Sequence, residues 1–196
     1  LYNDNSNVTR AGYTLYGADE NYIISTLYVY NEADGKFISA DSNGVRAETE
    51  YNDETDEVTK RIVRDIGTTN EIASETYQYY DRTENGGIKG ALKEISYGTN
   101  NNFSYTYDAV GRIKTELKNG VLNREYVYDN MGQLTAEYIY DPAIIAQYTD
   151  DTTVDRIRFY YIYNINGNLE EQGYAEEWID ENGNVDAWQC AVYYNG

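Results

Sequence analysis

The sequence predicts an all-β fold in which antiparallel hairpin repeats stack into a curved or spiralling sheet. Polar and apolar side chains alternate with the period of two that β-strands have. A pattern of the form Tyr-x-Tyr-Asp-x-x-Gly occurs twice in register between Tyr105 and Tyr140. The chain also has 24 Tyr against three Phe and one Pro. Tyrosine rings can therefore pack along strands that proline does not interrupt.

The duplicated unit is predicted to form a β-hairpin. Its copies, 105–113 and 126–134, stand 21 residues apart. Aspartate suits the first position of a type I turn, and glycine supplies the positive φ that follows it. After the turn in the first copy, Ile113, Thr115 and Leu117 share one face of a strand. A single hairpin is marginally stable in water, so the units are expected to stack on one another.

Degraded copies of this hairpin extend over the rest of the chain. The turn near Tyr51 has Asp56 where glycine is expected, which predicts a positive φ at a non-glycine residue. Trp178 to Val185 repeats the turn with Trp in place of Tyr. The whole of 1–196 is interpreted as a single repeat domain and as part of a longer protein. Its units lie near residues 2–29, 30–50, 51–79, 80–106, 107–127, 128–162 and 163–193.

One segment, 141–155, breaks the strand pattern. Asp141 followed by Pro142 matches a helix N-cap with proline at the first helical position. The sequence therefore predicts either a short helix over Ala143–Tyr148 or an inserted loop.

The net charge of the chain limits the classes of partner that it is expected to bind. Lys and Arg number 15 against 34 Asp and Glu, for a net charge of −19. Phosphates repel such a surface, so neither nucleic acid nor an anionic membrane is expected as a partner. No apolar run is long enough for a membrane span, and no membrane insertion is expected. The charge itself is explained by a solvated acidic exterior.

The sequence predicts no catalytic residue, no cofactor and no metal site. There is no His, so Ser-His and Cys-His pairs do not occur. The single cysteine, Cys190, lies in a predicted strand and is expected to be a small core residue. Three acidic clusters carry oxygen side chains of the kind that bind metal ions, and polar hairpin loops account for them. These clusters are Asp53–Glu57, Asp150 with Asp151 and Asp155, and Asp180–Asp186.

Carbohydrate binding is the main alternative to a purely structural role. Flat aromatic rings beside Asp and Asn are what a sugar-binding surface uses, and Trp178 and Trp188 are the candidate residues. The competing interpretation is that these rings form cross-strand stacks within the sheet.

The motif at 105–113, with its second copy at 126–134, resembles the Tyr-Asp repeat of the Rhs/YD-repeat family. That family includes bacterial wall-associated proteins, polymorphic-toxin shell proteins and teneurins. The resemblance implies a partial β-shell, a non-catalytic scaffold whose partners are neighbouring repeats of the same chain. It further implies an enclosed cargo or toxin domain, or a surface glycan, as a partner. It also implies a bacterial protein that is secreted or on the cell surface. Arginine after the turn glycine occurs once, at Arg112.

Overall fold

The computed structural model describes residues 10–16, 21–83 and 86–194. It is an all-β structure, which confirms the predicted fold class. The strands are β1 Arg10–Tyr16, β2 Asn21–Tyr30, β3 Phe37–Ser42, β4 Val45–Tyr51, β5 Val58–Asp65, β6 Glu71–Tyr79, β7 Leu92–Tyr97, β8 Asn102–Tyr107, β9 Ile113–Lys118, β10 Val121–Tyr128, β11 Leu134–Ile139, β12 Arg156–Tyr163, β13 Leu169–Ile179 and β14 Val185–Tyr194.

The strands form one sheet in which the spatial order equals the chain order, and β1 and β14 are its outermost strands. The described strand pairs are antiparallel. Each strand therefore pairs with its neighbours in sequence, as a series of hairpins requires. The start of the unit expected at 2–29 falls at residues outside the described ranges.

The chain divides into two compact units. The first unit comprises the described residues up to Gln78 together with Glu94–Asn101. Ion pairs cross its strands, joining Arg46 to Asp41 at 2.7 Å and Arg64 to Glu48 at 2.9 Å. Among the described residues of this unit, Ile62 is a buried apolar side chain with 1% exposure.

The second unit comprises Tyr79–Lys93 together with the described residues from Asn102 onward. Its core consists of buried aliphatic side chains against which Ile144, Phe159, Tyr174 and Trp178 pack. The core residues are Ile139, Ile145, Val154 and Ile157. The connection between β11 and β12 thus supplies Ile145 and Val154, and the strands supply the remainder. The segment that breaks the strand pattern is what closes this core.

The connection contains the helix α1, Pro142–Ile145. Asp141 is its N-cap and accepts a hydrogen bond from the N–H of Ala143 at 2.9 Å. The sequence predicted a helix over Ala143–Tyr148, whereas the helix begins at Pro142 and ends at Ile145. The chain then continues as a turn, with the N–H of Tyr148 donating to the carbonyl of Ile145 at 2.9 Å. Within the described residues, no helix has the length and apolar character needed to cross a membrane.

Candidate functional site

Three of the predicted turns in the second unit share one geometry. In the loop after β10, the Asp129 Oδ1 accepts hydrogen bonds from the N–H groups of Met131 at 2.8 Å and Gln133 at 2.9 Å. The N–H of Gly132 donates to the carbonyl of Asp129 at 3.1 Å. The loops that begin at Asp108 and Asn164 repeat these bonds. Aspartate and asparagine are therefore interchangeable here, because the turn needs one side-chain acceptor.

A bulge precedes each of these turns. The register shifts between Val127 and Tyr128, so that Tyr128 pairs with Leu134. The corresponding glycine, Gly132, has a φ of 87°. This is the bulged hairpin that the Asp-x-x-Gly spacing predicts. In the first unit, Asp56 has a φ of 64°, which confirms the positive φ predicted for that position.

Tyrosines at the bulges connect successive hairpins. The hydroxyl of Tyr128 donates to the carbonyl of Ile113 at 3.0 Å, and that of Tyr163 donates to the carbonyl of Leu134 at 3.0 Å. Each acceptor is the first strand residue after the preceding turn. The Tyr107 hydroxyl makes the analogous bond to the carbonyl of Leu92 at 2.7 Å. The motif tyrosine is therefore used to hold its own hairpin to the one before it.

The residue after the turn glycine reaches in the other direction. Arg112 places its guanidinium 4.4 Å from the ring centre of Tyr128, and its Nη1 lies 3.4 Å from the carbonyl oxygen of Asp129. The side-chain amide of Gln133 donates to the carbonyl of Gly167 at 3.0 Å. We call the turns Asp108–Arg112, Asp129–Gln133 and Asn164–Asn168, with these connections, the turn ladder.

The first unit contains a related contact. Lys36 follows the turn glycine Gly35, forms an ion pair with Asp56 of the next turn, and lies 5.6 Å from the ring centre of Tyr51. Sequence reasoning noted that Arg occurs once at this position and missed that Lys and Gln serve the same purpose. This role could have been inferred from the sequence, because a long polar side chain follows the turn glycine directly in each of these turns.

The turn at Asp180 has the same local geometry but a different place in the sheet. Asp180 Oδ1 accepts from the N–H groups of Asn182 and Asn184, both at 2.8 Å. This turn joins β13 to β14, whereas the ladder turns follow β8, β10 and β12. Because successive strands alternate in direction, it lies at the edge opposite the turn ladder, where an edge is the side of the sheet formed by strand ends and their connecting turns. The sequence pattern identifies the turn and does not identify its edge.

A buried ion cluster lies on one face of β12 and β13. Glu177 is 2% exposed, and its carboxylate lies 2.7 Å from Nε of Arg156 and 3.0 Å from Nε of Arg158. The Arg156 guanidinium also lies 4.2 Å from the ring centre of Tyr138 and donates to the Tyr140 hydroxyl at 2.9 Å. A carboxylate held by two arginines is a structural ion pair and is poorly placed to move protons.

The acidic clusters considered as metal ligands are engaged in turns. Among the described residues, no three Asp, Glu or Cys side chains converge on a point where a metal ion could bind. Asp56 pairs with Lys36, Asp155 accepts from the N–H of Ile179 at 2.6 Å, and Asp180 accepts from its own turn. Local hydrogen bonding therefore accounts for these residues.

The two tryptophans line a common depression. Its volume is about 470 Å³, and it is bordered by Asp151, Glu176, Trp178, Asp186, Ala187 and Trp188. Trp188 is 69% exposed, and Trp178 is partly buried against the core. Sequence reasoning selected both rings and missed Glu176. The position of Glu176 could have indicated its place in the depression, because it stands two residues before Trp178 and both therefore lie on one face of a strand.

Cys190 lies on the neighbouring stretch of β14. It is half-buried, so the expectation of a core residue holds in part. Burial raises the pKa of its thiol, which keeps it protonated at neutral pH.

Comparison with known proteins bears on the fold. A solved structure of TcdB2–TccC3 without its hypervariable C-terminal region has a TM-score of 0.50 and 14% sequence identity, over 96% of this chain and 12% of that chain. A porin-like protein from Bacteroides uniformis has a TM-score of 0.39 and 13% identity, over 100% of this chain and 88% of that one. A Photorhabdus luminescens Tc holotoxin pore has a TM-score of 0.36 and 17% identity, over 84% of this chain and 8% of that one.

Of these three, the TcdB2–TccC3 structure shows a shared fold. This chain spans about an eighth of its length, since the match covers 12% of that chain. No protein-family model matches the sequence, and no curated protein matches it.

Proposed function

We propose that this chain is a non-catalytic structural segment of a YD-repeat protein and forms part of the wall of a β-shell. The turn ladder is the observation that carries the proposal. The motif tyrosines bond to the preceding hairpin, and Arg112 and Gln133 bond to the following one. These conspicuous residues are thus engaged in joining repeats, which is what a scaffold requires of them.

The shared fold with TcdB2–TccC3 supports a role as one segment of a longer assembly. The Tyr-Asp motif resembles repeats that build shells around a cargo or toxin domain, and we extend that role to this chain. The same resemblance supports a secreted or cell-surface location in bacteria. The principal partners are then neighbouring repeats and an enclosed domain.

The test uses the natural full-length protein, in which a wall should shield the enclosed domain from protease. The double variant Arg112→Ala with Gln133→Ala removes two ladder connections, and Glu181→Ala, an exposed position in the turn at the opposite edge, is the control. We expect the enclosed domain to resist trypsin in the wild type and the control and to be cleaved faster in the double variant. Equal cleavage rates in all three proteins would contradict the shell role.

The second candidate is a surface adhesion module that binds carbohydrate. The observation that favours it is the joint position of Trp178 and Trp188 in one open depression, because an exposed ring beside carboxylates can stack on a sugar and bond to its hydroxyls. A glycan array tests it with Trp188→Ala as the variant and Tyr193→Ala, another exposed aromatic on β14, as the control. Glycan binding that Trp188→Ala abolishes and Tyr193→Ala retains is the expected result; no bound glycan excludes this candidate.

A further inference from the structure

The depression at the tryptophans is built by strand register. Trp178 on β13 is opposite Asp186 on β14, and Glu176 is opposite Trp188. Directly opposed residues share a face of the sheet, so these four side chains project together. Asp151, from the connection between β11 and β12, is the third carboxylate at the border.

Several other acids of the second unit have a cation partner that these three carboxylates lack in the described part of the chain. Glu177, Glu137 and Asp141 each form an ion pair with Arg or Lys. In the described part of the chain, no such ion pair is found for the three carboxylates of the depression. Hydrogen bonds from the hydroxyl and N–H of Thr153 lower the pKa of Asp151, which is therefore charged at neutral pH. Negative charge is therefore concentrated here, and among the described residues no cation compensates it.

The border of the depression is held in place before any ligand arrives. The indole N–H of Trp178 donates to the Thr153 hydroxyl at 3.1 Å. The N–H of Asp155 donates to the carbonyl of Glu177 at 3.0 Å, and its carboxylate accepts from the N–H of Ile179 at 2.6 Å. The loop that carries Asp151 is thus attached to β13. A preformed border lowers the ordering cost of binding.

Trp188 provides a surface that the fold does not use. It is 69% exposed, although indole is the largest side chain and gains most from burial. The negative face of an indole ring attracts cations more strongly than any other aromatic side chain does. An exposed indole beside carboxylates that have no ion-pair partner among the described residues can hold an ammonium group by cation–π attraction together with charge attraction.

We propose that this depression binds an organic cation, an alkylammonium group that rests on the Trp188 ring and faces the carboxylates of Asp151, Glu176 and Asp186. The site is independent of the scaffold role, because the turn ladder lies at the opposite edge of the sheet. It uses the same tryptophans as the glycan candidate and differs in the ligand, since a neutral sugar does not need the three charges. The ammonium group can belong to a small molecule or to a lysine side chain of another polypeptide.

The experiment titrates the full chain with choline and with its neutral isostere 3,3-dimethyl-1-butanol, followed by NMR. The chain has two Trp, so two indole N–H signals report on the depression, and Trp188→Phe assigns them. We expect choline to shift the Trp188 signal saturably, with a dissociation constant of about 1 mM, and the isostere to bind roughly tenfold more weakly. Raising the salt concentration from about 0.05 to about 0.5 M should weaken choline binding, because exposed carboxylates are screened.

Substitutions separate the contribution of the Trp188 ring to choline binding from that of the carboxylate charges. Trp188→Ala should weaken choline binding roughly tenfold, and the double variant Glu176→Gln with Asp186→Asn should have an effect of similar size. Glu181→Gln removes a charge from the nearby β13–β14 turn without bordering the depression, and Tyr193→Ala removes an exposed ring elsewhere on β14. Both controls should bind as the wild type does.

Three results would overturn the proposal. The first is equal binding of choline and its isostere, the second is an effect of Glu181→Gln as large as that of the double variant, and the third is binding of neutral glycans with no response to choline. A capped trilysine peptide distinguishes the source of the cation. Tighter binding of the peptide than of choline supports a polypeptide ligand, and the reverse supports a small quaternary ammonium ligand.

Discussion

The two edges of the sheet in the second unit are built differently. At one edge, the three turns of the ladder repeat a five-residue loop with an Asp or Asn acceptor and a glycine at fixed positions, and Arg112 and Gln133 each reach the backbone of the next turn. The opposite edge has three unlike connections, which are Asn119–Gly120, the helix-bearing segment 141–155 and the turn Asp180–Asn184. The repeated edge holds the hairpins in sequence, and the variable edge holds the apolar core and the depression. The regular part of the sequence therefore indicates the turns that join hairpin to hairpin. The irregular parts indicate the segments that form the core and the depression.

The largest effect should come from the core at the variable edge. Ile157 is fully buried, so Ile157→Ala leaves a cavity and should lower the free energy of unfolding by about 3 kcal/mol. Ile162→Ala on the same strand, where the side chain is 47% exposed, should cost less than about 1 kcal/mol. Urea denaturation measures both. Similar losses at the two positions would remove the distinction between the core and the ladder end of β12.

Two glycines test whether the ladder adds to a turn that both edges share. Gly132 and Gly183 have φ of 87° and 80°, and alanine at either should cost about 1 kcal/mol from strain alone. At Gly132 the added Cβ would lie 3.4 Å from Nη1 of Arg112, whereas at Gly183 it would meet open space. We expect Gly132→Ala to be the more destabilising by up to about 1 kcal/mol in thermal unfolding. Equal costs would mean that the Arg112 contact is easily displaced.

Removal of one ladder hydroxyl should have a smaller effect. Tyr128→Phe deletes the hydrogen bond to the carbonyl of Ile113 and keeps the ring under Arg112. The expected loss is about 1 kcal/mol, with faster amide exchange in β9 and β10. Tyr193→Phe, at an exposed position, is the control and should change neither quantity. Unchanged exchange in Tyr128→Phe would show that the stacked ring alone joins these hairpins.

The smallest effect is a pH dependence at the helix N-cap. The Lys118 ammonium, 2.7 Å away, and the N–H of Ala143 hold the pKa of Asp141 below its usual value. A lowered folded-state pKa contributes stability that is present above the unfolded pKa near 3.9 and is lost as the pH falls through the folded value. Asp141→Asn keeps the cap and loses the ion pair, at a cost of at most about 1 kcal/mol at neutral pH.

Thermal unfolding between about pH 6 and pH 2 measures this dependence. The melting temperature of Asp141→Asn should fall less steeply with acid than that of the wild type. Asp150→Asn changes the same formal charge on an exposed loop and is the control. A wild-type slope in Asp141→Asn would show that the ion pair with Lys118 contributes nothing.

The fold could be predicted where one residue decides a local conformation. The Asp and Gly of each turn act within five residues, so their spacing predicts the loops at Asp129 and Asp180 equally well. The pairing of Asp141 with Pro142 predicts a helix start for the same reason. The helix ends earlier than predicted, since Ile145 is buried in the core and the chain then turns toward β12.

Features that depend on distant pairs could not be predicted in this way. Glu177 and Arg156 form a buried pair across strands, and in the sequence each is one charge among many. The contact of Gln133 with Gly167 spans 34 residues and includes the whole insertion. Ring type alone makes Trp178 and Trp188 candidates in the sequence. Their common depression with Glu176 follows from the register of β13 and β14, which no local pattern specifies.

The agreement between strand order and chain order has a consequence for how the protein is made. Each strand finds its partner in the segment synthesised just before or after it, so loop closure remains inexpensive in entropy throughout. Such a chain can zip up hairpin by hairpin as it leaves the ribosome, without waiting for its C-terminal half. The bond from each ladder tyrosine to the hairpin before it would then secure every new strand pair to finished structure.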